Sequence, residues 1–176
     1  MRNEYWAMYN QMKFNEFYYS HYLTESILIN RFISVVTCIV SAASIASWAI
    51  WDVLGVFWAI LVGISQAITT IHHLLPFSDR ITSLTFLTSE LSQLLTDISR
   101  DWNRINYSDS KISDDEIIEL IYKHERQYDE LVAKYIGFTS LPEKKRFVKK
   151  AAKDQISYFK QRYNVDYELI NNEVTI

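Results

Sequence analysis

Two long apolar stretches follow each other in the first half of the chain, and a single charged residue separates them. Residues 32–51 and 53–77 contain no formally charged side chain, and Asp52 lies between them. A helix of about 20 residues crosses about 30 Å of hydrocarbon, and each stretch has that length. The pattern predicts transmembrane helix 1 over 32–51 and transmembrane helix 2 over 53–77, with a tight turn at Asp52 and Gly55. A buried hairpin of a soluble protein is the weaker interpretation, because neither stretch has a charged face.

The segments on either side have the periodicity of amphipathic helices. Residues 1–31 place aromatic side chains at helical spacing and predict a cytoplasmic aromatic-rich helix. Residues 78–105 carry an apolar seam with alternating steps of three and four, which predicts a coiled-coil-like cytoplasmic stalk helix packed against the first segment. The seam consists of Ile81, Leu84, Thr88, Leu91, Leu95, Ile98, Trp102 and Ile105. Two further cytoplasmic helices are predicted over 113–163, and the tail over 164–176 has no clear period.

Local signals place the ends of these further helices. Ser113 and Glu116 have the spacing of a capping box, which predicts a helix start. Gly137 predicts the end of that helix, and Ser140 with Glu143 repeats the capping-box pattern before the last one. Together the elements predict an all-α membrane protein, in which a two-transmembrane helical hairpin is extended by a cytoplasmic helical bundle.

Composition removes several other classes of protein. The 176 residues include three Gly, two Pro and one Cys, which excludes a disulfide scaffold and a loop-rich β-sandwich. The net charge of −3 gives no reason to expect nucleic acid, and sequence-specific nucleic-acid binding is not predicted. Phosphate-loop, dinucleotide-binding, hydrolase and zinc-protease motifs do not occur in the sequence. We therefore expect no enzyme activity, no catalytic residue, no metal site and no cofactor.

Basic residues flank the pair of apolar stretches at its two outer ends. Arg31 precedes the first stretch and Arg80 follows the second, whereas the connecting turn carries only Asp52. Positively charged flanks stay on the cytoplasmic side of a membrane. The sequence therefore predicts the inner (cytoplasmic) membrane as the location, with both termini in the cytoplasm and the lipid bilayer as a partner.

The second apolar stretch contains small residues at every fourth position. These residues form a stripe on one helix face, which allows another helix backbone to approach closely. The members of this small-residue stripe are Gly55, Ala59, Gly63 and Ala67. The stripe predicts helix packing, either between the two helices of one hairpin or between subunits of a homo-oligomer.

Polar side chains without charge are also placed along both apolar stretches. Such groups form hydrogen bonds between helices, or they line a water-filled pore when several hairpins assemble. A pore requires an oligomer, because two helices cannot enclose water. The candidate pore-lining residues are Ser34, Thr37, Ser41, Ser44, Ser65, Gln66 and Thr69.

The last predicted helix begins with a concentrated basic face. Such a face is either simply solvated or binds an anionic partner, for which the candidates are the lipid surface, a phosphorylated small molecule and an acidic protein. The candidate residues for an anionic ligand or lipid are Lys144, Lys145, Arg146, Lys149, Lys150 and Lys153.

The chain resembles the SLATT family, the bacterial two-transmembrane effector domains associated with SMODS and SLOG proteins. The resemblance depends on the order and spacing of several short motifs, none of them catalytic. They are the aromatic residues of 14–22, WAIW at 48–51, FWA at 57–59, SQ at 65–66, LLPFSDR at 74–80, and the aromatic residues at 158, 159 and 163.

The resemblance implies an inner-membrane effector of a bacterial anti-phage nucleotide-signalling system. Such an effector oligomerises and permeabilises the membrane, which arrests or kills the infected cell by abortive infection. The implied partners are further copies of the chain, a cyclic nucleotide, or a protein that synthesises or senses the nucleotide. The alternative is a membrane-tethered scaffold that recruits a soluble partner to the inner leaflet without forming a lesion.

Overall fold

A computed structural model describes residues 1–47, 55–74, 77–107, 112–137 and 141–163. Every regular element in these ranges is an α-helix, which confirms the predicted all-α class. The helices are α1 (Arg2–Ser47), α2 (Gly55–Leu74), α3 (Phe77–Tyr107), α4 (Asp114–Tyr135) and α5 (Lys145–Tyr163). Predictions for the turn at Asp52, for Pro76 and for the tail over 164–176 lie outside the described residues.

The helices form two compact units. We call the first the aromatic bundle; it consists of Met1–Tyr22 and Ser83–Ile176. We call the second the apolar unit; it consists of Leu23–Thr82. The bundle therefore contains the start of α1, most of α3, and both α4 and α5.

The core of the aromatic bundle forms where the start of α1 packs against α3. The Tyr5 hydroxyl donates a hydrogen bond to the Ile98 carbonyl at 3.1 Å, and the Tyr5 and Trp102 rings stack with centroids 6.1 Å apart. The predicted contact between the first segment and the apolar seam is confirmed. The fully or nearly fully buried seam residues are Leu84, Leu91, Leu95, Ile98 and Ile105.

Both ends of α4 are determined by local chemistry that the sequence predicts. The Ser113 Oγ accepts a hydrogen bond from the Glu116 backbone N–H at 3.2 Å, and the Glu116 carboxylate accepts one from the Ser113 N–H at 3.3 Å. This reciprocal pair is the predicted capping box. Gly137 has a φ of 65°, a conformation in which L side chains are strained, and it follows the last turn of the helix. Both predictions are confirmed.

The start of α5 differs from its prediction. Residues 141–144 are not helical and the helix begins at Lys145, so a start at Ser140 is wrong. Pro142 disfavours a helical conformation in the residue before it. The Lys144 carbonyl instead accepts the first hydrogen bonds of the helix, from the Phe147 and Val148 N–H groups at 2.8 and 3.2 Å.

One helix in the described part of the chain is long and apolar enough to cross a membrane. This helix extends over Arg2–Val40, and its most apolar window has a mean hydropathy of 1.6. Only 6% of that window is buried within the protein. Length and apolarity of this kind also occur in signal sequences and in buried core helices.

Candidate functional site

The part of α1 in the apolar unit presents large hydrophobic side chains outward. Phe32 is 70% exposed, and Val35 and Ile39 are exposed at the next steps of three and four residues. A helix repeats every 3.6 residues, so these positions lie on one stripe. A helix that faces water places polar residues on such a stripe. This surface of α1 is therefore apolar where water would favour polarity.

Helix α2 exposes several aliphatic side chains and buries one hydroxyl group. Ser65 is only 6% exposed and faces the interior of the unit, whereas Val56, Ile60 and Ile64 are exposed. At about 100° per residue, Ile64, Ile60 and Val56 lie roughly 100°, 140° and 180° around the helix from Ser65. The unit therefore buries a hydroxyl group and exposes aliphatic side chains.

The small-residue stripe lies at the centre of the exposed side of α2. Ala59, Gly63 and Ala67 are all exposed. A Cβ atom added to Gly63 would have no atom within 4 Å. These three members of the stripe are therefore not covered by the rest of the unit. The surroundings of Gly55 lie outside the described residues.

The candidate pore-lining residues do not share one environment. Ser34 is exposed and its hydroxyl donates to the Asn30 carbonyl at 2.9 Å, whereas Thr37 is half-buried. Ser65 is buried and the adjacent Gln66 is exposed, so they point to different sides of α2. The side chains of Ser41, Ser44 and Thr69 lie outside the described part of the structure. Within one copy, the described residues of this set form no common polar wall.

The basic face of α5 is exposed as a continuous surface. We call it the basic face of α5, and its exposed members are Lys145, Arg146, Lys149, Lys150 and Lys153. Lys144 is the exception, because it is half-buried and its ammonium lies 4.8 Å from the Tyr22 ring centroid and 5.0 Å from that of Phe147. A lysine in this position is held by cation–π contacts and contributes to packing.

Aromatic and polar contacts from α1 hold the start of α5 in place. Phe147 is buried and packs edge-on against Tyr22, with ring centroids 5.5 Å apart. The Tyr18 hydroxyl donates to the Pro142 carbonyl at 3.2 Å and accepts from the Lys144 N–H at 3.3 Å. His21 Nε2 lies 2.7 Å from a carboxylate oxygen of Asp154. These contacts fix the direction in which the basic face points.

The bundle interior also contains a buried histidine that sequence reasoning missed. His124 is 1% exposed, and its Nε2 lies 3.0 Å from an Asp101 carboxylate oxygen. Its Nδ1 lies 3.3 Å from the Gln127 side-chain oxygen, and its ring meets the Tyr5 ring edge-on. Both ring nitrogens thus have partners, as buried polar groups require. This arrangement joins α3 to α4 and has a structural role.

Tyrosine hydroxyls form further polar contacts that join α5 to α1 and to α3. The Tyr9 and Tyr158 hydroxyls lie 3.3 Å apart, and the Ser99 and Tyr163 hydroxyls lie 2.9 Å apart. Burial raises the pKa of Tyr9 far above its ordinary value. The phenol therefore stays protonated and takes part in the hydrogen-bond network as a neutral hydroxyl.

A polar groove lies beside this network, between α1, α3 and α5. Its volume is about 470 Å³. We call it the cationic groove, because three positively charged side chains, Lys13, Arg100 and Arg162, line it together with polar groups. The polar groups include Thr96, Asn103 and Tyr158. The sequence gives little indication of this site, because its three cations come from segments far apart in the chain.

Comparison with protein-family models, with curated proteins and with solved structures found no match to this chain.

Proposed function

We propose that this chain is a two-span inner-membrane effector whose copies associate and permeabilise the bilayer. In this proposal the spans are residues 32–51 and 53–77, and both termini lie in the cytoplasm. The observation that carries it is the set of large hydrophobic side chains that the apolar unit exposes, among them Phe32, Val35 and Ile60. The resemblance to SLATT effectors adds the biological setting, an anti-phage response controlled by a nucleotide signal.

The energetic argument for membrane insertion begins with the outward hydrophobic side chains. Moving one large aliphatic or aromatic side chain out of water is favourable by about 1.5–3 kcal/mol. In the described part of the apolar unit the exposed large hydrophobic residues are Leu28, Ile29, Phe32, Val35, Ile39, Val56, Ile60 and Ile64. A bilayer removes from water at once the six of these that lie within the proposed spans, namely Phe32, Val35, Ile39, Val56, Ile60 and Ile64. No folding of the unit on itself does so, because these residues remain exposed in the folded unit.

The argument for association begins with the uncovered small-residue stripe on α2. Helices in lipid gain packing energy when small residues let their backbones approach closely, and the stripe at Ala59, Gly63 and Ala67 offers such a surface. Gln66 and Thr70 are exposed beside it, and the Thr70 hydroxyl already donates to the Gln66 carbonyl at 2.8 Å. The Gln66 side-chain amide has no water to bind within lipid. A second copy supplies both a close-packing helix and amide partners.

Membrane insertion can be tested with the single cysteine of the chain. Cys38 is exposed in the folded protein, so only lipid or another copy can shield its thiol. We expect a membrane-impermeant maleimide to leave Cys38 unlabelled in native vesicles and to label it after detergent is added. The control is Ser157→Cys in a Cys38→Ser background, since Ser157 is exposed on α5 and should react in inside-out vesicles. Rapid labelling of Cys38 in intact vesicles of either orientation would contradict insertion.

Membrane permeabilisation can be tested by dye release from liposomes that carry the purified full chain. We expect Gly63→Leu to reduce dye release at least tenfold and to shift the protein towards the monomer, because leucine prevents close approach at the stripe. Ile64→Leu is the matched control, since Ile64 is exposed on the same helix and the change keeps the side-chain volume. Normal release by the Gly63→Leu variant would remove the stripe from the proposal.

The same liposomes distinguish an effector from a scaffold. A panel of cyclic di- and oligonucleotides that raises or lowers dye release would support nucleotide control and give its direction. Release that no nucleotide alters would place the sensing step in a partner protein. Recruitment of a soluble partner without any release would contradict the effector and favour the membrane-tethered scaffold.

A further inference from the structure

The cationic groove brings together three positive charges that are distant in sequence. Lys13 comes from α1, Arg100 from α3 and Arg162 from α5. Two of these cations are already paired, Lys13 with Glu16 and Arg100 with Asp97 at 3.1 Å. Among the described residues, Arg162 has no ion-pair partner. The groove therefore holds one more positive charge than the adjacent carboxylates neutralise.

The remaining lining of the groove combines hydrogen-bonding groups with a larger share of apolar surface. Thr96, Asn103 and the Tyr158 hydroxyl provide donors and acceptors, and buried Leu95 lies at the base. Among the described residues, the Asn103 side-chain amide has no hydrogen-bond partner. A lining of this kind suits a polar ligand that carries hydroxyl groups as well as charge.

The charge of the groove favours a phosphate over a carboxylate. Two of the three cations are arginines, whose guanidinium groups match the oxygen geometry of both anions, so the number of negative charges decides between them. A phosphomonoester carries about −1.5 to −2 charges near neutral pH, so it competes with the Asp97 carboxylate for Arg100 more effectively than a carboxylate does. The volume of about 470 Å³ is within the range of small-molecule pockets, about 300–1,000 Å³.

We propose that the cationic groove is a binding site for a phosphomonoester of roughly sugar-phosphate to mononucleotide size. Arg100 and Arg162 bind the phosphate oxygens from two helices, and Lys13 adds a third positive charge. Thr96 and Asn103 bind hydroxyl groups of the same ligand. The ligand thereby connects α1, α3 and α5. The site lies within the aromatic bundle, so the inference does not depend on membrane permeabilisation.

The basic face of α5 carries more positive charge than the groove but is a weaker candidate for this ligand. Its members, among them Lys149 and Lys150, are exposed side chains on one helix. An exposed face attracts anions without selecting their shape, and salt screens that attraction strongly. The groove differs because its three cationic residues come from three helices and line one open cavity, although the Arg100 and Arg162 side chains are themselves exposed.

The test is calorimetric titration of the full chain in phosphatidylcholine nanodiscs. The probes are inorganic phosphate, ribose 5-phosphate and adenosine monophosphate, with ribose and adenosine as uncharged counterparts. We expect the two phosphomonoesters to bind and their uncharged counterparts not to bind. Nanodiscs that also contain phosphatidic acid distinguish the sources of the phosphate: loss of ribose 5-phosphate binding there would assign the same phosphate site to a lipid headgroup.

Substitutions then locate the bound probe. We expect Arg100→Gln and Arg162→Gln to weaken ribose 5-phosphate binding at least tenfold. The matched controls are Arg104→Gln on α3 and Lys149→Gln on α5, which remove the same charge outside the groove and should change binding less than twofold. Asp97→Asn should strengthen binding, because it frees Arg100 and removes a competing negative charge. If Asp97 had only a structural role, its substitution would not increase the affinity for ribose 5-phosphate.

Three results would overturn the proposal. The first is the absence of binding by every phosphomonoester at millimolar concentration. The second is binding that Lys149→Gln weakens as much as Arg162→Gln, which would place the ligand on the basic face of α5. The third is equal binding of ribose and ribose 5-phosphate. Melting temperatures of all variants, measured by circular dichroism, show whether the fold is intact.

Discussion

The aromatic bundle and the apolar unit differ in which types of side chain they bury and which they expose. In the bundle, Phe159 is fully buried and the polar groups that accompany it are hydrogen-bonded. In the apolar unit, Phe32 is exposed and Ser65 is buried. The first arrangement is the one that water favours, because apolar side chains are removed from it, whereas the second leaves large apolar side chains on the surface. The difference teaches that the average composition of the chain describes neither unit.

The largest expected effect comes from deleting the same side chain in each unit. Phe159 packs on Trp6 and Tyr9, with ring centroids 4.9 and 5.2 Å apart. We expect Phe159→Ala to destabilise the bundle by about 3–5 kcal/mol, because it leaves a cavity in a packed core. Phe32→Ala, made in the exposed stripe, should leave bundle stability within about 0.5 kcal/mol. Chemical unfolding of the chain in nanodiscs, followed by near-ultraviolet circular dichroism, measures both. Equal losses would break the comparison.

A charge placed on each outward hydrophobic residue tests which medium surrounds it. Ile39 and Tyr122 are similarly exposed, at 62% and 66%. Ile39→Arg should disfavour membrane insertion by about 2.5–3.5 kcal/mol, because the charge would lie near the centre of a span. Tyr122→Arg, on α4 of the bundle, should cost no more than about 0.5 kcal/mol. Carbonate extraction of membranes measures the inserted fraction, and full retention of the Ile39→Arg protein would argue against hydrocarbon around α1.

Within the bundle, a buried polar pair and an exposed one should differ. Asp101→Ala removes the carboxylate partner of His124 and leaves a buried ring nitrogen unpaired, which should cost about 1–3 kcal/mol. Glu130→Ala removes the exposed partner of Arg126, at 2.9 Å, and should cost less than about 0.5 kcal/mol. Thermal unfolding of the two variants in parallel makes the measurement. A similar loss for both would mean that burial does not determine the strength of these pairs.

The smallest expected effect concerns an exposed carboxylate on α3. Hydrogen bonds from the Tyr135 hydroxyl and from Lys134 hold the pKa of Glu90 below its ordinary value. A lowered pKa in the folded state stabilises the protein above the ordinary pKa, and this contribution is lost as the pH falls through the folded value. Tyr135→Phe should therefore raise the Glu90 pKa and slightly lower the melting temperature at neutral pH but not in strong acid.

Carboxyl NMR titration and melting curves check this pH dependence. Tyr122→Phe is the control, since Tyr122 is exposed on the same helix. An unchanged Glu90 pKa in the Tyr135→Phe variant would show that Lys134 alone accounts for the shift.

The sequence predicted those features that depend on neighbouring residues. The capping box at Ser113 and the positive φ of Gly137 each follow from chemistry within a few positions, and the seam on α3 follows from its helical period. The predicted start of α5 was wrong because it took no account of a tertiary contact. The Lys144 N–H donates a hydrogen bond to the Tyr18 hydroxyl, and this contact holds the residues before the helix in a non-helical conformation.

The candidate sites also differ in whether neighbouring residues in the sequence reveal them. The basic face of α5 lies on one helix and can be read from a run of lysines. The cationic groove cannot, because Lys13, Arg100 and Arg162 meet only after three helices have packed. The exposure of the small-residue stripe also could not be predicted from the sequence. Spacing alone does not say which side of α2 the rest of the unit covers.

The contacts that close the bundle have a consequence for its biosynthesis. The Tyr9 hydroxyl meets that of Tyr158, 149 residues later, and the Gln155 side chain donates to the Asn10 carbonyl across 145 residues. Ribosomes add about 5–20 residues per second, so the start of α1 is synthesised roughly 7–30 s before its partners in α5 exist. During that interval the aromatic surface of α1 lacks its native partners, and these long-range contacts can form only after α5 has been synthesised.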